Sequence, residues 1–295
     1  MYTYNDLLAD IGGLRRLGGR ISYIGWTAAG RMIPCVHIGS AQGAQIIIQS
    51  AIHAREHITA KLAVEQAYYC LRRISLKPAG GIYFIPMVNA DGVSLAQFGL
   101  DAVRSGARRS FLLQVNGAEG TDFTLWKANL NAVDLNVNFP ADWGTGAQNV
   151  REPAPASYIG PAPASEPETR ALMAFTRKVK PALTLSYHCK GEEIYWDFGQ
   201  SGAVRQRDRE TGQILADLTG YRLIDGALGS AGGYKDWCIQ TPGIPAYTAE
   251  IISADAPYPV SYGLLPAEFV KNKDVPFEML AAVGRAGESG SGALG

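Results

Sequence analysis

Apolar residues recur at helical spacing in two stretches of the first half of the chain. Residues 4–17 predict an amphipathic helix that ends at Gly18-Gly19, with Leu7, Leu8, Ile11 and Leu14 on one side. Residues 59–74 have the same spacing and predict a second helix. Short apolar runs typical of strands lie at residues 21–24, 32–38, 45–52 and 81–88. Strands and helices in alternation predict an α/β protein.

The middle of the chain lacks a clear period. Residues 91–143 are rich in asparagine and glycine, which indicates long active-site loops on a rigid sheet. The proline-rich residues 152–163 could be an interdomain linker. Ser165-Glu-Pro-Glu168 looks like a capping box opening a helix through Arg177, so a surface crossover is favoured. A strand at residues 182–188, a helix at 204–218 and a strand-like run at 246–252 follow.

Composition limits the class of protein. The 295 residues are 47% hydrophobic, enough for one large α/β domain or two small ones. Lys plus Arg and Asp plus Glu both number 27, so the formal charge is zero and neither a nucleic acid nor a membrane surface is expected as a partner. The four cysteines are widely spaced, which favours reduced thiols over a zinc knuckle or a disulfide framework. The oligomeric state stays open.

The ends of the chain show no membrane or export signal. No apolar run approaches the roughly 20 residues of a membrane span, and no basic region precedes an apolar stretch at the amino terminus. We therefore expect a cytoplasmic protein, unless a leader has been removed. Motifs of one site run from His53 to Glu250, which favours one catalytic domain over residues 1–283, followed by a flexible Gly/Ser-rich tail at residues 284–295.

The junction after the predicted strand at residues 45–52 carries candidate chemistry. His53-Ala-Arg-Glu56 places a histidine and a carboxylate three residues apart where a strand turns into a helix, so both can point at one metal ion. Zinc hydrolases commonly use two histidines, one carboxylate and a water. His188 is a better candidate for the third ligand than His37 or His57, because it ends a second apolar strand, and catalytic residues gather at the carboxyl ends of strands.

This junction and six later blocks resemble the zinc carboxypeptidase superfamily. The junction, His53-Ala-Arg55-Glu56-His-Ile-Thr59, matches the family's His-x-Arg-Glu hallmark. The later blocks follow in the family's order: Val88-Asn-Ala-Asp-Gly92, Trp126-Lys-Ala-Asn129, Val133-Asp-Leu-Asn-Val-Asn-Phe139, Ser186-Tyr-His188, Gly229-Ser-Ala-Gly-Gly-Tyr-Lys-Asp-Trp237 and Thr248-Ala-Glu250. The resemblance covers about residues 19–262 and implies a three-layer α/β/α fold with a mixed, mostly eight-stranded sheet.

The resemblance also implies a metal site. One zinc ion per chain would be held by His53, Glu56 and His188, with a water in the fourth position. Asp134 matches the family carboxylate that hydrogen-bonds the first zinc histidine and orients its ring.

Three further residues are implied in the chemistry. Glu250 ends a strand-like run, where a carboxylate needs a partner or a function, and it matches the general base that moves a proton from water to the leaving amine. Arg55 and Lys127 are the positive groups expected to face the tetrahedral oxyanion.

Departures from the family bear on the substrate. Ordinary carboxypeptidases grip the terminal carboxylate with Asn-Arg, whereas this chain has Asn136-Val137, so half of that clamp is missing. Leu228 stands where those enzymes carry the tyrosine that caps the specificity pocket. Glu192 and Glu193 could receive the distal ammonium of diaminopimelate, or form a solvated acidic turn.

Three segments, at residues 126–129, 158–168 and 188–196, look like the bacterial branch that cleaves γ-D-glutamyl–diamino acid bonds in peptidoglycan stem peptides. We therefore expect a zinc metallopeptidase whose partner is a small murein peptide. Two alternatives stay open. One is an ordinary metallocarboxypeptidase with relaxed C-terminal recognition. The other is a degenerate zinc-containing binding protein of low activity, which Val137 favours and the retained Glu250 disfavours.

Overall fold

The computed structural model describes residues 1–74, 79–226 and 229–291. The strands in these residues are β1 (Arg20–Trp26), β2 (Met32–Gly39), β3 (Gln45–Ser50), β4 (Gly81–Ile85), β5 (Leu183–Cys189), β6 (Glu193–Tyr195), β7 (Arg222–Ile224) and β8 (Ala246–Ile251). They form one mixed eight-stranded sheet in the order β1-β2-β4-β3-β5-β8-β6-β7, in which β4, β3, β5 and β8 are parallel. The predicted α/β fold is confirmed.

Helices cover both faces of this sheet. In the described residues they are α1 (Tyr4–Arg16), α2 (Ile58–Leu71), α3 (Ala90–Phe98), α4 (Gly106–Asn116), α5 (Pro167–Val179), α6 (Gly202–Thr219), α7 (Tyr234–Gln240), α8 (Leu265–Asn272) and α9 (Val275–Ser291). Side chains of a strand alternate between faces. Accordingly, Ile46 and Ile48 pack with α1, α2, α6, α8 and α9, whereas Ile47 packs with α5 and α7. The result is a three-layer arrangement.

The first helix shows how local sequence sets an element. Thr3 caps α1 and forms a capping box with Asp6, and the last turn carries two arginines that complement the helix dipole. Leu7, Ile11 and Leu14 are buried as predicted. Leu8 is 37% exposed, because the residue after Leu7 is turned about 100° away from the buried stripe.

Two helices lie in the stretch that was predicted as loops. Seven of the nine residues of α3 are buried, so the helix has no polar face and therefore no helical alternation in its sequence. Helix α4 is mostly exposed and buries only Leu112 and Asn116 within its own length. Both helices pack beside Phe123 and Trp126 in a third apolar cluster next to the sheet.

The predicted capping box at the start of α5 is wrong. Glu166 occupies the cap position without a side-chain cap bond, and Pro167 begins the helix. Glu168 is fully buried and its Oε1 accepts from the Ala28 N–H at 2.9 Å, so this carboxylate binds the β1–β2 turn instead of its own helix.

At the carboxyl end, α9 continues through Ser291, so residues 284–291 of the predicted tail are helical, and residues 292–295 lie outside the described residues. None of the helices in the described part of the chain has the length and apolar character needed to span a membrane.

Candidate metal and catalytic site

The candidate site lies at one edge of the sheet, where three parallel strands end. Strands β3, β5 and β8 are neighbours, so their carboxyl ends meet. After β3 the chain forms a short 3-10 turn, Ala54–Glu56, that begins directly after His53. Thr59 secures this turn, because its hydroxyl donates to the Glu56 carbonyl at 2.8 Å and accepts from the Ala51 N–H at 2.9 Å.

Three buried side chains meet at this edge. His53 Nδ1 lies 2.9 Å from Glu56 Oε1 and 3.1 Å from His188 Nδ1, and His188 Nδ1 lies 3.1 Å from Glu56 Oε2. One ligand atom from each of the three residues lies within 4.8 Å of the other two. We call these three residues the metal cluster.

The two other histidines have partners elsewhere. His37 Nδ1 lies 3.1 Å from Arg20 Nε, and its ring stacks on Tyr83 with centroids 4.0 Å apart. His57 Nδ1 lies 2.7 Å from the Tyr262 hydroxyl. Of the four histidines, His53 and His188 are therefore the pair that the fold brings together.

The donor atoms of the metal cluster fit zinc. Zinc–ligand distances are about 2.0–2.2 Å, so ligand atoms of a tetrahedral site lie roughly 3.3–3.5 Å apart. The separations of 2.9–3.1 Å observed here would need only a small outward shift. Two imidazole nitrogens and one carboxylate are also the protein ligands typical of catalytic zinc, as opposed to structural zinc.

Asp134 orients one of the histidines. Its Oδ1 lies 3.2 Å from His53 Nε2, which assigns the ring proton to Nε2 and leaves the Nδ1 lone pair for a metal. The carboxylate is itself held by the N–H groups of Asn136 at 3.1 Å and Ser157 at 3.0 Å. His188 differs, because its Nε2 is buried without a hydrogen-bond partner in the described residues.

Glu56 of the metal cluster and the neighbouring Asp134 are ionised at neutral pH. Burial favours the neutral form of Glu56, but His53 and His188 outweigh it and hold the pKa of Glu56 well below its ordinary value. Burial of Asp134 is likewise outweighed, by His53 and Lys127, so the pKa of Asp134 is also low. Two ionised, buried carboxylates make a site suited to a divalent cation.

Glu250 lies beside the metal cluster on β8. It is paired with His188 in the β5–β8 register, so both side chains lie on the same face of the sheet, and it lines the adjoining cleft. Burial raises the pKa of Glu250, with His188 opposing the shift and Glu56 reinforcing it. Within the described residues its carboxylate has no hydrogen bond or salt bridge. It is therefore free to exchange a proton.

The two basic residues predicted to face the oxyanion lie in different places. Lys127 lines the cleft, with its Nζ 3.8 Å from Asp134 Oδ2. Arg55 is not among the cleft-lining residues of the described chain. Its guanidinium lies over the Tyr258 ring, 4.3 Å from the centroid, and Nη1 is 3.5 Å from the Leu125 carbonyl. Lys127 is thus the better placed of the two to contact a substrate.

Residues predicted to bind substrate occupy the cleft only in part. Asn136 and Val137 line this cavity of about 390 Å³. Asn136 Oδ1 also accepts from the Tyr234 N–H at 3.2 Å, so its amide helps to hold the start of α7. The Tyr234 ring is buried, with its hydroxyl 2.7 Å from Thr176 Oγ1. Leu228 lies outside the described residues.

Glu192 and Glu193, which could receive a substrate ammonium, are not among the residues that line the cleft in the described chain. Glu192 is paired with Lys271, whereas Glu193 is paired with Arg222 and also accepts from the Tyr195 hydroxyl. Both carboxylates are therefore engaged by groups of the protein itself.

The cleft also contains polar residues that were not predicted for the site: Ser157, Tyr195, Lys235, Asp236 and Thr248. Lys235 and Asp236 had a visible signal, since they are the charged residues of the block at residues 229–237.

Comparison with known proteins finds a family and individual proteins that the chain is similar to. Residues 19–287 match the family described as zinc carboxypeptidase. The chain is 32% identical over 277 residues to γ-D-glutamyl-L-diamino acid endopeptidase 1 of Lysinibacillus sphaericus, covering 88% of this chain and 68% of that protein. It is 41% identical over 139 residues to murein peptide amidase A of Escherichia coli, covering 44% of this chain and 53% of that protein.

Solved structures show the fold alone. Bovine thrombin-activatable fibrinolysis inhibitor, solved in complex with tick carboxypeptidase inhibitor, superposes with a TM-score of 0.76 at 19% identity, covering 97% of this chain and 98% of that chain. The curated relatives are longer proteins, since the matches span 68% of the Lysinibacillus sphaericus enzyme and 52% of a metallocarboxypeptidase A from Trichophyton rubrum.

Proposed function

The chain belongs to the zinc carboxypeptidase family, and on that premise we propose that it hydrolyses the amide bond between γ-D-glutamate and a diamino acid in peptidoglycan stem peptides. The observation that carries the hydrolytic part is the convergence of two imidazole nitrogens and a carboxylate beside the free carboxylate of Glu250. The choice of bond is supported by the similarity to the endopeptidase of Lysinibacillus sphaericus.

His53, Glu56 and His188 would hold one zinc ion, which when bound would polarise the scissile carbonyl and lower the pKa of the attacking water. Asp134 keeps His53 in the tautomer that presents Nδ1.

Glu250 would carry the proton. It accepts a proton from the water as the water oxygen bonds to the carbonyl carbon, and it then delivers that proton to the amine nitrogen as the C–N bond breaks. Its raised pKa suits both steps, because a base must hold the proton briefly and then release it. Lys127 supplies a fixed positive charge in the cleft where the oxyanion develops.

The cleft wall next to this machinery supports an enzyme that does not depend on a substrate's terminal carboxylate. Val137 presents only hydrocarbon at the position of the family's carboxylate-gripping arginine. This position therefore supplies no charged partner for a substrate carboxylate.

Incubation of zinc-loaded protein with L-Ala-γ-D-Glu-meso-diaminopimelate and with ordinary peptides bearing a free carboxyl terminus tests the proposal, with products identified by mass spectrometry. We expect release of the diamino acid portion and little trimming of the ordinary peptides. The Glu250→Gln protein, prepared in parallel, controls for a contaminating peptidase. Trimming of ordinary peptides alone would identify a carboxypeptidase, and turnover of neither substrate by zinc-loaded protein would favour a binding protein.

A further inference from the structure

A second cavity lies where the turn between β1 and β2 meets the start of α4. Its volume is about 430 Å³, and in the described chain none of the residues that line it also lines the catalytic cleft. Its charged residues are Arg31 from the turn, Arg104 from the segment before α4, and Arg108 from the first turn of α4. Among the described residues that line it there is no carboxylate. We call it the arginine cavity.

Two of these arginines are held in place by the protein through a single nitrogen. Arg31 Nη1 is paired with Asp91, and Arg108 Nη1 donates to the Leu130 carbonyl at 2.7 Å and to the side chain of Asn131. A guanidinium group has five N–H donors, spread over three nitrogens. In the part of the chain that the structure describes, Nε and Nη2 of both arginines have no hydrogen-bond partner. Both side chains are therefore positioned and still have donors for a ligand.

The charges of the arginine cavity are only partly balanced. Asp91 neutralises Arg31, whereas neither Arg104 nor Arg108 forms a salt bridge within residues 1–74, 79–226 and 229–291. Asp101 lines an adjoining cavity together with Arg31, and among those residues it is not paired with an arginine either. Positive groups that share a cavity repel one another unless an anion joins them. The arginine cavity thus has two positive charges without a paired carboxylate.

The arrangement suits a phosphate group better than a carboxylate. A carboxylate has two oxygens and is satisfied by one guanidinium fork. A phosphate monoester has three terminal oxygens and a charge of about −1.5 to −2 at pH 7, which matches guanidinium groups from three chain segments and two unpaired positive charges. Ser105 and Arg108 both line the cavity, so the amino end of the 11-residue helix α4, where the helix dipole favours an anion, adjoins it as well.

We propose that the arginine cavity binds the phosphate group of a phosphorylated small molecule, at a site separate from the catalytic cleft. Arg31 and Arg108 would bind it with the donors that the protein leaves unpaired, and Arg104 with its whole guanidinium group. The proposal does not rest on the proposed function, because the two cavities share no lining residue in the described chain.

Calorimetric titration of the zinc-loaded protein with inorganic phosphate, at constant ionic strength, tests the proposal. Arg104→Met should raise the Kd for phosphate by roughly tenfold, the usual effect of losing a hydrogen bond to a charged group, and Arg104→Glu should raise it further. Because Arg104 has no side-chain partner in the described residues, both variants should fold, and their melting temperatures and zinc contents show whether they do. Glutarate, which has two carboxylates, should bind more weakly than phosphate to the unaltered protein.

Two control variants separate this site from other sources of phosphate binding. Arg15→Met removes an exposed arginine at the end of α1, so it changes the net charge as Arg104→Met does but leaves the arginine cavity intact, and its Kd should equal that of the unaltered protein. Lys127→Met removes the positive charge of the catalytic cleft and should keep the phosphate binding that depends on Arg104.

Four results would overturn the proposal. They are no phosphate binding by the unaltered protein, the same Kd for the unaltered and both Arg104 proteins, an equal loss of affinity in Arg15→Met, and loss of all binding in Lys127→Met. The last would place the phosphate in the catalytic cleft. Glutarate binding as tight as that of phosphate, and equally sensitive to Arg104, would overturn the assignment of the site to phosphate.

Discussion

Two groups of buried polar side chains in this protein contain similar residues but differ in what those side chains contact. One is the metal cluster of His53, Glu56 and His188. The other, which we call the carboxylate cluster, comprises Asp91, Glu166 and Glu168. Every one of these six side chains is buried, so burial alone does not separate the two groups.

The partners of the carboxylate cluster are hydrogen-bond donors. Glu168 accepts from the Ala28 N–H, and Asp91 accepts from the Ala29 N–H at 2.6 Å, so both hold the turn between β1 and β2. Glu166 accepts from the side-chain amides of Asn129 and Asn131, each at 2.7 Å, and from the Ser165 hydroxyl at 2.8 Å. These carboxylates tie distant segments together and have little capacity left for a ligand.

In the metal cluster, by contrast, acceptor atoms face one another at 2.9–3.1 Å. Lone pairs in such an arrangement repel unless a proton or a cation lies between them. Convergence of acceptors, and not burial, is therefore the feature that indicates chemistry. Matched substitutions inside and outside the metal site test this difference.

The largest effect is expected for a metal ligand. His188→Ala should lose most of its zinc, and turnover of the murein peptide should fall by roughly a thousandfold or more, because the ion contributes several kcal/mol to the transition state. His37→Ala, which alters a histidine stacked on Tyr83 outside the cluster, should keep its zinc. Zinc measured by mass spectrometry after gel filtration decides the point, and a full complement in His188→Ala would show that the third ligand lies elsewhere.

Glutamate-to-glutamine changes at two buried positions provide the second test. Glu250→Gln should keep its zinc but lower kcat on the order of a hundredfold or more, because glutamine cannot take a proton from water. Glu168→Gln, in the carboxylate cluster, should retain kcat. Steady-state kinetics with the murein peptide measure both, and comparable turnover by the two variants would remove Glu250 from the mechanism.

Aspartate-to-asparagine changes in the two groups should differ less, and the difference should appear in zinc affinity. Asp134→Asn weakens the hydrogen bond that fixes the tautomer of His53, so zinc affinity should fall by roughly ten- to a hundredfold. Asp91→Asn, which leaves His53 untouched, should bind zinc with the affinity of the unaltered protein. Competition with a chelator of known affinity measures the difference, and equal affinities of the two variants would contradict an orienting role for Asp134.

The titration of Glu168 should have the smallest effect on activity. It should nevertheless change the free energy of unfolding with pH. Burial raises the pKa of Glu168 to about 7, with the Ala28 N–H opposing the shift and Glu166 and Asp91 reinforcing it. The unfolded chain thus loses this proton at lower pH than the folded protein. Unfolding free energy should therefore fall as pH rises from about 4.5 to 7, by about 2–3 kcal/mol from this group.

Denaturant unfolding at pH 5 and pH 8 measures that change. Glu168→Gln cannot lose a proton, so its stability should depend less on pH than that of the unaltered protein by the same amount. Identical pH dependence of the two proteins would mean that Glu168 titrates normally in the folded state.

The sequence by itself determined the elements whose signals are local. Spacing of apolar residues predicted α1, α2 and the central strands, because a strand or an amphipathic helix repeats its burial every few residues. The pairing of His53 with Glu56 was equally local, since three residues of chain separate them. Placing His188 nearby required only the rule that parallel strands end at one edge. The sequence did not predict helix α3, because the helix is buried on nearly all sides and its sequence therefore lacks the alternation of apolar and polar positions.

Tertiary structure decided everything that depends on a partner distant in sequence. Glu192 and Glu193 looked available for a substrate until the fold brought Lys271 and Arg222 to them. Arg55 adjoins a metal ligand in sequence, yet packing placed its guanidinium on Tyr258. A charged side chain reaches several ångströms from its backbone and joins whichever opposite charge the fold supplies, so its partner is set by packing and not by neighbouring residues.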